Sequence, residues 1–402
     1  MKKAFYMMAA AAIALSSCSS EETTDVAKST AISFRPTVGF NSRGAELNAT
    51  NFTEMWVSGF DMGATSGTGN GFEAEKFTKQ GSTNEFLPDT PLFWQAGSEL
   101  RFFAINPVQT DWHGTLTIDK NSASFSNVSI PTNIENQKDL VIGSKTVQAN
   151  NYMDGSGVGL TLNHILSQIN FKAINTNKRL TYHIAAIRIV NAKNGGSYSF
   201  DPTQSQTGVW AGNQSDAVTY ELDFKNNVIV LNGTDGNTEA FLTHKGHGAM
   251  LVPQTLTPWD GKEVVENTAP FDGGSYIALL VNVCFTNGTY VYPKKANGDE
   301  DYGWIAIPLP KNNAGGDKAE WKMGNKYIYT LNLSEGCGKV DPVNPNPDGG
   351  GKVEPNGTTD PKPGANIFGK PIKFTVTLAP WTDKNGVAEG TPGYNPNENI
   401  QM

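Results

Sequence analysis

Leu160-Thr161-Leu162-Asn163-His164-Ile165-Leu166-Ser167-Gln168-Ile169-Asn170-Phe171-Lys172-Ala173 decides the fold class. Leu160 and Leu162 alternate with polar residues, and the same period returns at Ile169, Phe171 and Ala173. A period of two puts the apolar side chains on one face of a β-strand. The alternation breaks between His164 and Gln168, where a short helical turn fits. The stretch therefore reads as strand, break, strand. A single histidine in such a break packs or caps more often than it binds a metal.

The pattern extends both ways. Residues 182–190 form the most regular strand, with Ile184, Ala186 and Val190 on one side and Ile187 and Ile189 on the other. Upstream, Ile32, Phe34 and Val38 mark a half-buried strand. Pro36 within it has no N–H to give a ladder, which suits an edge position. Residues 55–60, 100–105, 115–118, 124–130 and 140–143 follow as short strands, and 61–71 as a long loop. Downstream, 191–218 reads as loop, and 220–224 with 228–231 as a hairpin about Asn226-Asn227, a primed-turn pair. Residues 250–254, 276–285, 290–292, 304–309 and 327–333 are further strands. Residues 338–370 are rich in proline and glycine and read as a linker. Ile372, Phe374, Val376 and Leu378 then alternate in a last strand. Many short strands divided by turn residues imply an all-β sandwich or barrel.

Composition agrees. Of 402 residues, 42 are glycine and 17% are charged, as in a turn-rich extracellular β-protein. The net charge of −8 argues against a nucleic-acid partner. The length suffices for two ordinary domains.

The N-terminus carries an address. Lys2 and Lys3 precede an apolar run from 4 to 15, ending in Leu15-Ser16-Ser17-Cys18. The run is shorter than the ~20 apolar residues of a membrane span and has the form of a signal peptide. Its ending resembles a bacterial lipobox, which implies cleavage before Cys18 and lipid on its thiol. Ser19-Ser20-Glu21-Glu22 resembles the export signal of surface lipoproteins, or serves as a solvated tether. Residues 18–30 are read as that tether. The other two cysteines, Cys284 and Cys337, specify no disulfide geometry by sequence alone.

Chemistry is sparse. His244 and His247 flank Lys245-Gly246 without a third ligand, so no metal is expected. Asp299-Glu300-Asp301 reads as a solvated turn and lacks the spaced oxygens of a calcium loop. No nucleophile elbow or phosphate-cradling loop is present, so no catalytic residue and no cofactor are assigned. Trp112, Trp210 and Trp259 either stack on sugars or pack the rims of the sheets.

Four stretches carry a family likeness: the ending at Cys18, residues 162–171, residues 250–254, and 324–331 (Gly-Asn-Lys-Tyr-Ile-Tyr-Thr-Leu). The strand at 373–381 is in character. The chain resembles the fimbrillin family, the type V pilins and their accessory subunits. The likeness implies two tandem transthyretin-like β-sandwich domains, placed at 31–176 and 177–402. It implies a surface-exposed lipoprotein of the outer membrane that assembles with other fimbrial subunits and supports adhesion to a host or glycan ligand. In polymerising members an arginine-directed protease removes the lipidated tip and first strand, and a donor strand from the next subunit fills the groove. Arg43-Gly44, in the loop Asn41-Ser42-Arg43-Gly44, is the matching bond. The alternative is a surface glycan-binding lipoprotein outside any fimbria.

Overall fold

The computed structural model describes residues 31–38, 52–64, 71–94, 96–107, 114–152, 154–205, 207–211, 216–243, 248–265, 268–294, 302–312, 316–346 and 360–380. Among these the regular structure is strand, with three short 3-10 turns. The chain is all-β.

The first half closes into a seven-stranded barrel. Its order is Phe34–Val38, Phe86–Pro88, Phe72–Lys79, Glu54–Asp61, Glu99–Asn106, Val141–Gln148 and Val158–His164, which returns to the first. Every residue from Leu100 to Asn106 is buried, which explains why 100–105 is a continuous apolar run. Leu100, Phe102 and Ala104 fill the barrel, while Phe103 and Ile105 turn outward into a second, larger core. A strand covered on both faces loses its polar alternation.

That larger core lies between two sheets of the second half. One sheet runs Glu239–Phe241, Ser167–Ile174, Asn325–Asn332, Lys373–Pro380, with Ala249–Leu251 also on Ser167–Ile174. The other runs Ala217–Asp223, Leu180–Lys193, Tyr276–Phe285, Gly303–Pro308, Lys339–Val340. Phe171 and Tyr329 from the first stack at 5.5 Å inside this core.

Several sequence expectations shift. No helical turn fills the central break: strands run to His164 and resume at Ser167, leaving only Ile165 and Leu166 between them. The expected hairpin at Asn226-Asn227 is absent. Ala217–Asp223 and Ile229–Leu231 pair in turn with the same long strand, Leu180–Lys193, and a 3-10 turn at Lys225–Asn227 joins them. They continue one another along that flank. Within the expected loop 191–218, Gly195–Phe200 and Val209–Trp210 are strands. They join Thr115–Ile118 and Ala123–Ser129 in a four-stranded sheet, two strands from each half of the chain. The flanks of the expected linker are packed: Val340 N donates to Ala365 O at 3.0 Å, and Ile367 N to Gly338 O at 3.1 Å. Cys284 and Cys337 are both free, and burial pushes the Cys337 thiol up to about 11.

The break in the opening stretch is the joint between the halves. His164 Nδ1 lies 2.6 Å from Asp139 Oδ2, with both side chains almost wholly buried. Asp139 Oδ1 accepts from the Leu140 amide at 2.8 Å, and Leu140 O accepts from the Ile165 amide at 3.0 Å. Gln137, two residues before Asp139, accepts from the Met250 amide at 2.7 Å. His164→Leu strips a buried carboxylate of this partner, a loss of about 3–5 kcal/mol. Urea unfolding of the variant is expected to show a lower midpoint by that measure; an unchanged midpoint contradicts the role given to the pair.

Candidate functional site: the strand that closes the barrel

In Ala31-Ile32-Ser33-Phe34-Arg35-Pro36-Thr37 the two-residue period holds from Phe34 to Thr37, and Ser33 departs from it by being buried. Ile32, Phe34 and Pro36 are buried, while Arg35 and Thr37 face solvent. Phe34 has no exposed surface and meets Phe77 and Phe102 edge-on, at 4.9 Å and 5.0 Å between ring centres. Edge-to-face pairs of this kind add about 0.5–1.5 kcal/mol to the burial itself.

The two flanks of this strand are held unequally. On one side it runs parallel to Val158–His164, in register from Phe34↔Val158 to Val38↔Leu162. On the other it meets Phe86–Pro88 at the single rung Phe34↔Phe86. The ladder bond from the Val158 amide goes to Ser33 O at 2.9 Å, and the Ile32 amide donates the opposite way to Leu92 O at 2.6 Å. Backbone groups alternate sides along a strand, so Ser33, Arg35 and Thr37 serve the parallel flank, and Ile32, Phe34 and Pro36 the other. Pro36 thus places its missing N–H where the ladder has already ended. Its carbonyl oxygen is met there by Asn84 Nδ2 at 3.0 Å. The expected edge position is replaced by an interior one with a loosely held side.

The pocket under Phe34 comes partly from residues that sequence reading passed over. Phe72 and Phe77 are five apart and break a period of two, so the sequence of Phe72–Lys79 carries no alternating strand signal. The pairing with Glu54–Asp61 shifts register between Val57 and Gly59, and Ala74 adopts a φ of 48°. A bulge of this kind adds a residue and brings both phenylalanines to the same side. Both pack in the barrel core.

Cys18, Arg43 and Gly44 lie outside the described residues, as do Trp112, His244, His247, Asp299, Glu300 and Asp301. Arg43 follows the end of the closing strand by five positions. The other two tryptophans pack. Trp210 donates Nε1–H to Ile165 O at 2.6 Å and lies against Tyr198, and Trp259 is buried beside Tyr276. Among the described residues no group of three or more His, Cys, Asp or Glu has metal-binding geometry.

At the far end of the chain, Lys373–Pro380 lies antiparallel to Asn325–Asn332, from Asn332↔Lys373 to Asn325↔Pro380. It folds back into its own half as an edge strand. Phe374, Val376 and Leu378 are only half-buried there.

Phe34→Ala empties the centre of the barrel. The expected cost is about 3–5 kcal/mol, read as a lowered denaturation midpoint of the full chain. Thr37→Ala, on the solvent side of the same strand, is expected to leave the midpoint within about 0.5 kcal/mol.

A family model described as fimbrillin-like matches residues 43–355. No curated protein sequence matches the chain. Among solved structures, a candidate cell adhesion protein from Bacteroides uniformis superposes with a TM-score of 0.41 at 12% identity, covering 88% of this chain and 99% of that one. One from Bacteroides ovatus gives 0.38 at 14% identity, covering 76% and 92%. The fimbrial anchor protein Mfa2 of Porphyromonas gingivalis gives 0.29 at 13% identity, covering 75% and 90%. The family match spans most of the sequence, so this chain is a structural, non-enzymatic protein and belongs to the fimbrillin-like family.

Proposed function

We propose that this protein is a structural subunit of a cell-surface fimbria, exported to the outer membrane as a lipoprotein on Cys18 and assembled by strand addition. Cleavage at Arg43-Gly44 releases the tether together with Phe34–Val38. The barrel is left with a groove between Val158–His164 and Phe86–Pro88, and a strand from another subunit fills it. The two halves of the chain correspond to the family's two transthyretin-like domains. The pairing of Ser167–Ile174 with Asn325–Asn332 from the second half supports a division at Ile165-Leu166.

One observation carries this reading: the barrel is closed by a short N-terminal strand, Phe34–Val38, with a full ladder on one side and the single rung Phe34↔Phe86 on the other, preceded there by the Ala31↔Phe93 bridge. Burying a large apolar side chain stabilises by about 1.5–3 kcal/mol. Loss of Ile32, Phe34 and Pro36 therefore leaves a groove several kcal/mol short of its closed state. Unpaired strand flanks over apolar pockets are strong acceptors for an added strand. A donor that repeats the Ile-x-Phe-x-Pro spacing restores both ladder and core.

The test is N-terminal sequencing and mass analysis of the protein recovered from the cell surface. A start at Gly44 without lipid is expected. A mature chain that retains lipidated Cys18 sinks the cleavage step, and identifies an anchor subunit or a stand-alone surface lipoprotein.

A further inference from the structure

The closing strand is held unevenly along its length as well as across it. Its first residues are tied on both flanks. On one side Ala31 bridges Phe93, the Ile32 amide donates to Leu92 O at 2.6 Å, and Phe34 pairs with Phe86. On the other side Ser33 O accepts from the Val158 amide at 2.9 Å. The same residues carry deeply buried side chains: Ile32 is 2% exposed and Phe34 not at all.

Beyond Phe34 the backbone is held on one flank. Residues 35–38 stay in register with 159–162 on the parallel side. Among the described residues no strand meets the opposite flank of residues 36–38. Pro36 has no N–H to offer there. Its carbonyl oxygen takes a side-chain donor instead, Asn84 Nδ2 at 3.0 Å. Pro36 is buried, while Arg35 and Thr37 face solvent. A strand end with a ladder on one side and few buried side chains opens before the rest.

This loosely held end is also the end that the chain ties back to the barrel. Residues 39–51 connect it to Phe52, which packs on Phe86 in the barrel core. In the uncut chain an opened Val38 end stays at the high effective concentration of a short tether, so it recloses ahead of a competitor. Cleavage at Arg43-Gly44 breaks no ladder bond and empties no pocket. It removes the tether from the end that is held least. We propose that the closing strand is displaced from its Val38 end toward Ile32, the incoming strand pairing first with residues 160–162 and taking the Phe34 pocket afterwards. The incoming strand then runs parallel to Val158–His164, as the closing strand does, and its C-terminal part enters first. This direction rests on the strand-addition reading and assigns cleavage its role within it.

Hydrogen exchange at single-residue resolution, on the full chain before and after cutting by an arginine-directed protease, tests the direction. Cutting is expected to speed exchange of the Thr37 amide about tenfold and that of the Ile32 amide far less. Asn84→Ala, at an exposed position, is expected to speed Thr37 exchange further and to leave Ile32 unchanged. Uptake of labelled peptides by the cut chain gives a second readout. A peptide of residues 31–35, which lacks the leading part, is expected to enter about tenfold more slowly than one of residues 31–38. A peptide of residues 33–38 is expected to enter at the full rate and to leave sooner. Equal acceleration at Thr37 and Ile32 overturns the direction and leaves strand addition standing. So does entry that is slowed by loss of residues 31–32 and not by loss of residues 36–38. A cut chain that takes up none of the peptides overturns strand addition itself, and the direction with it.

Discussion

A sheet that curls into a barrel has to be closed, and here closure depends on five residues near the start of the chain. Closure removes the edges that would otherwise pair with other chains. Phe34–Val38 closes the barrel with a complete ladder on one flank and a single rung on the other, and with one phenylalanine seated among Phe77 and Phe102. The closing piece is therefore strongly specified by its side chains and weakly tied by its backbone. That asymmetry supports the proposed exchange. In the proposed exchange, another strand with apolar residues at the same alternate positions would meet the same pockets and the same acceptor flank.

The surrounding frame anchors the barrel wall. Glu99–Asn106 is buried on both faces, so the barrel wall is also the floor of the second core. The four-stranded sheet draws strands from both halves, and the His164–Asp139 pair locks the crossing point. Strands Val141–Gln148 and Val158–His164 approach closely enough that a Cβ on Gly143 would collide with the carbonyl oxygen of Thr161. Only glycine fits there, beside the strand that receives the closing segment. In this arrangement the closing strand sits against a wall that is anchored elsewhere.

Much of this was legible in the sequence. The alternation in Ile32-Phe34 and in Leu160-Leu162 gave true strands; 182–190 is also a strand, but a bulge between Ile184 and Ala186 puts Ile184 on the side of Ile187 and Ile189 and not with Ala186 and Val190. Three errors share a cause: local patterns do not report partners. Asn226-Asn227 looks like a hairpin turn, but its flanking strands both pair with Leu180–Lys193. Phe72–Lys79 was hidden by a bulge that shifts its period. Pro36 pointed to an edge, whereas the structure uses its missing donor at the place where a ladder stops. The pocket that Phe34 fills was equally invisible, being assembled from strands far apart in the chain.

The central claim is that Phe34–Val38 is the replaceable element of the barrel. The direct measurement is strand exchange on the full chain cut at Arg43-Gly44 by a trypsin-like protease, challenged with a fluorescent peptide of residues 31–38. The account predicts that the cut protein takes up the peptide as its own N-terminal segment leaves, that the uncut protein does not, and that a peptide with alanine in place of Phe34 competes poorly. Uptake that is the same before and after cleavage, or no uptake by a cut chain that has lost residues 31–43, contradicts it.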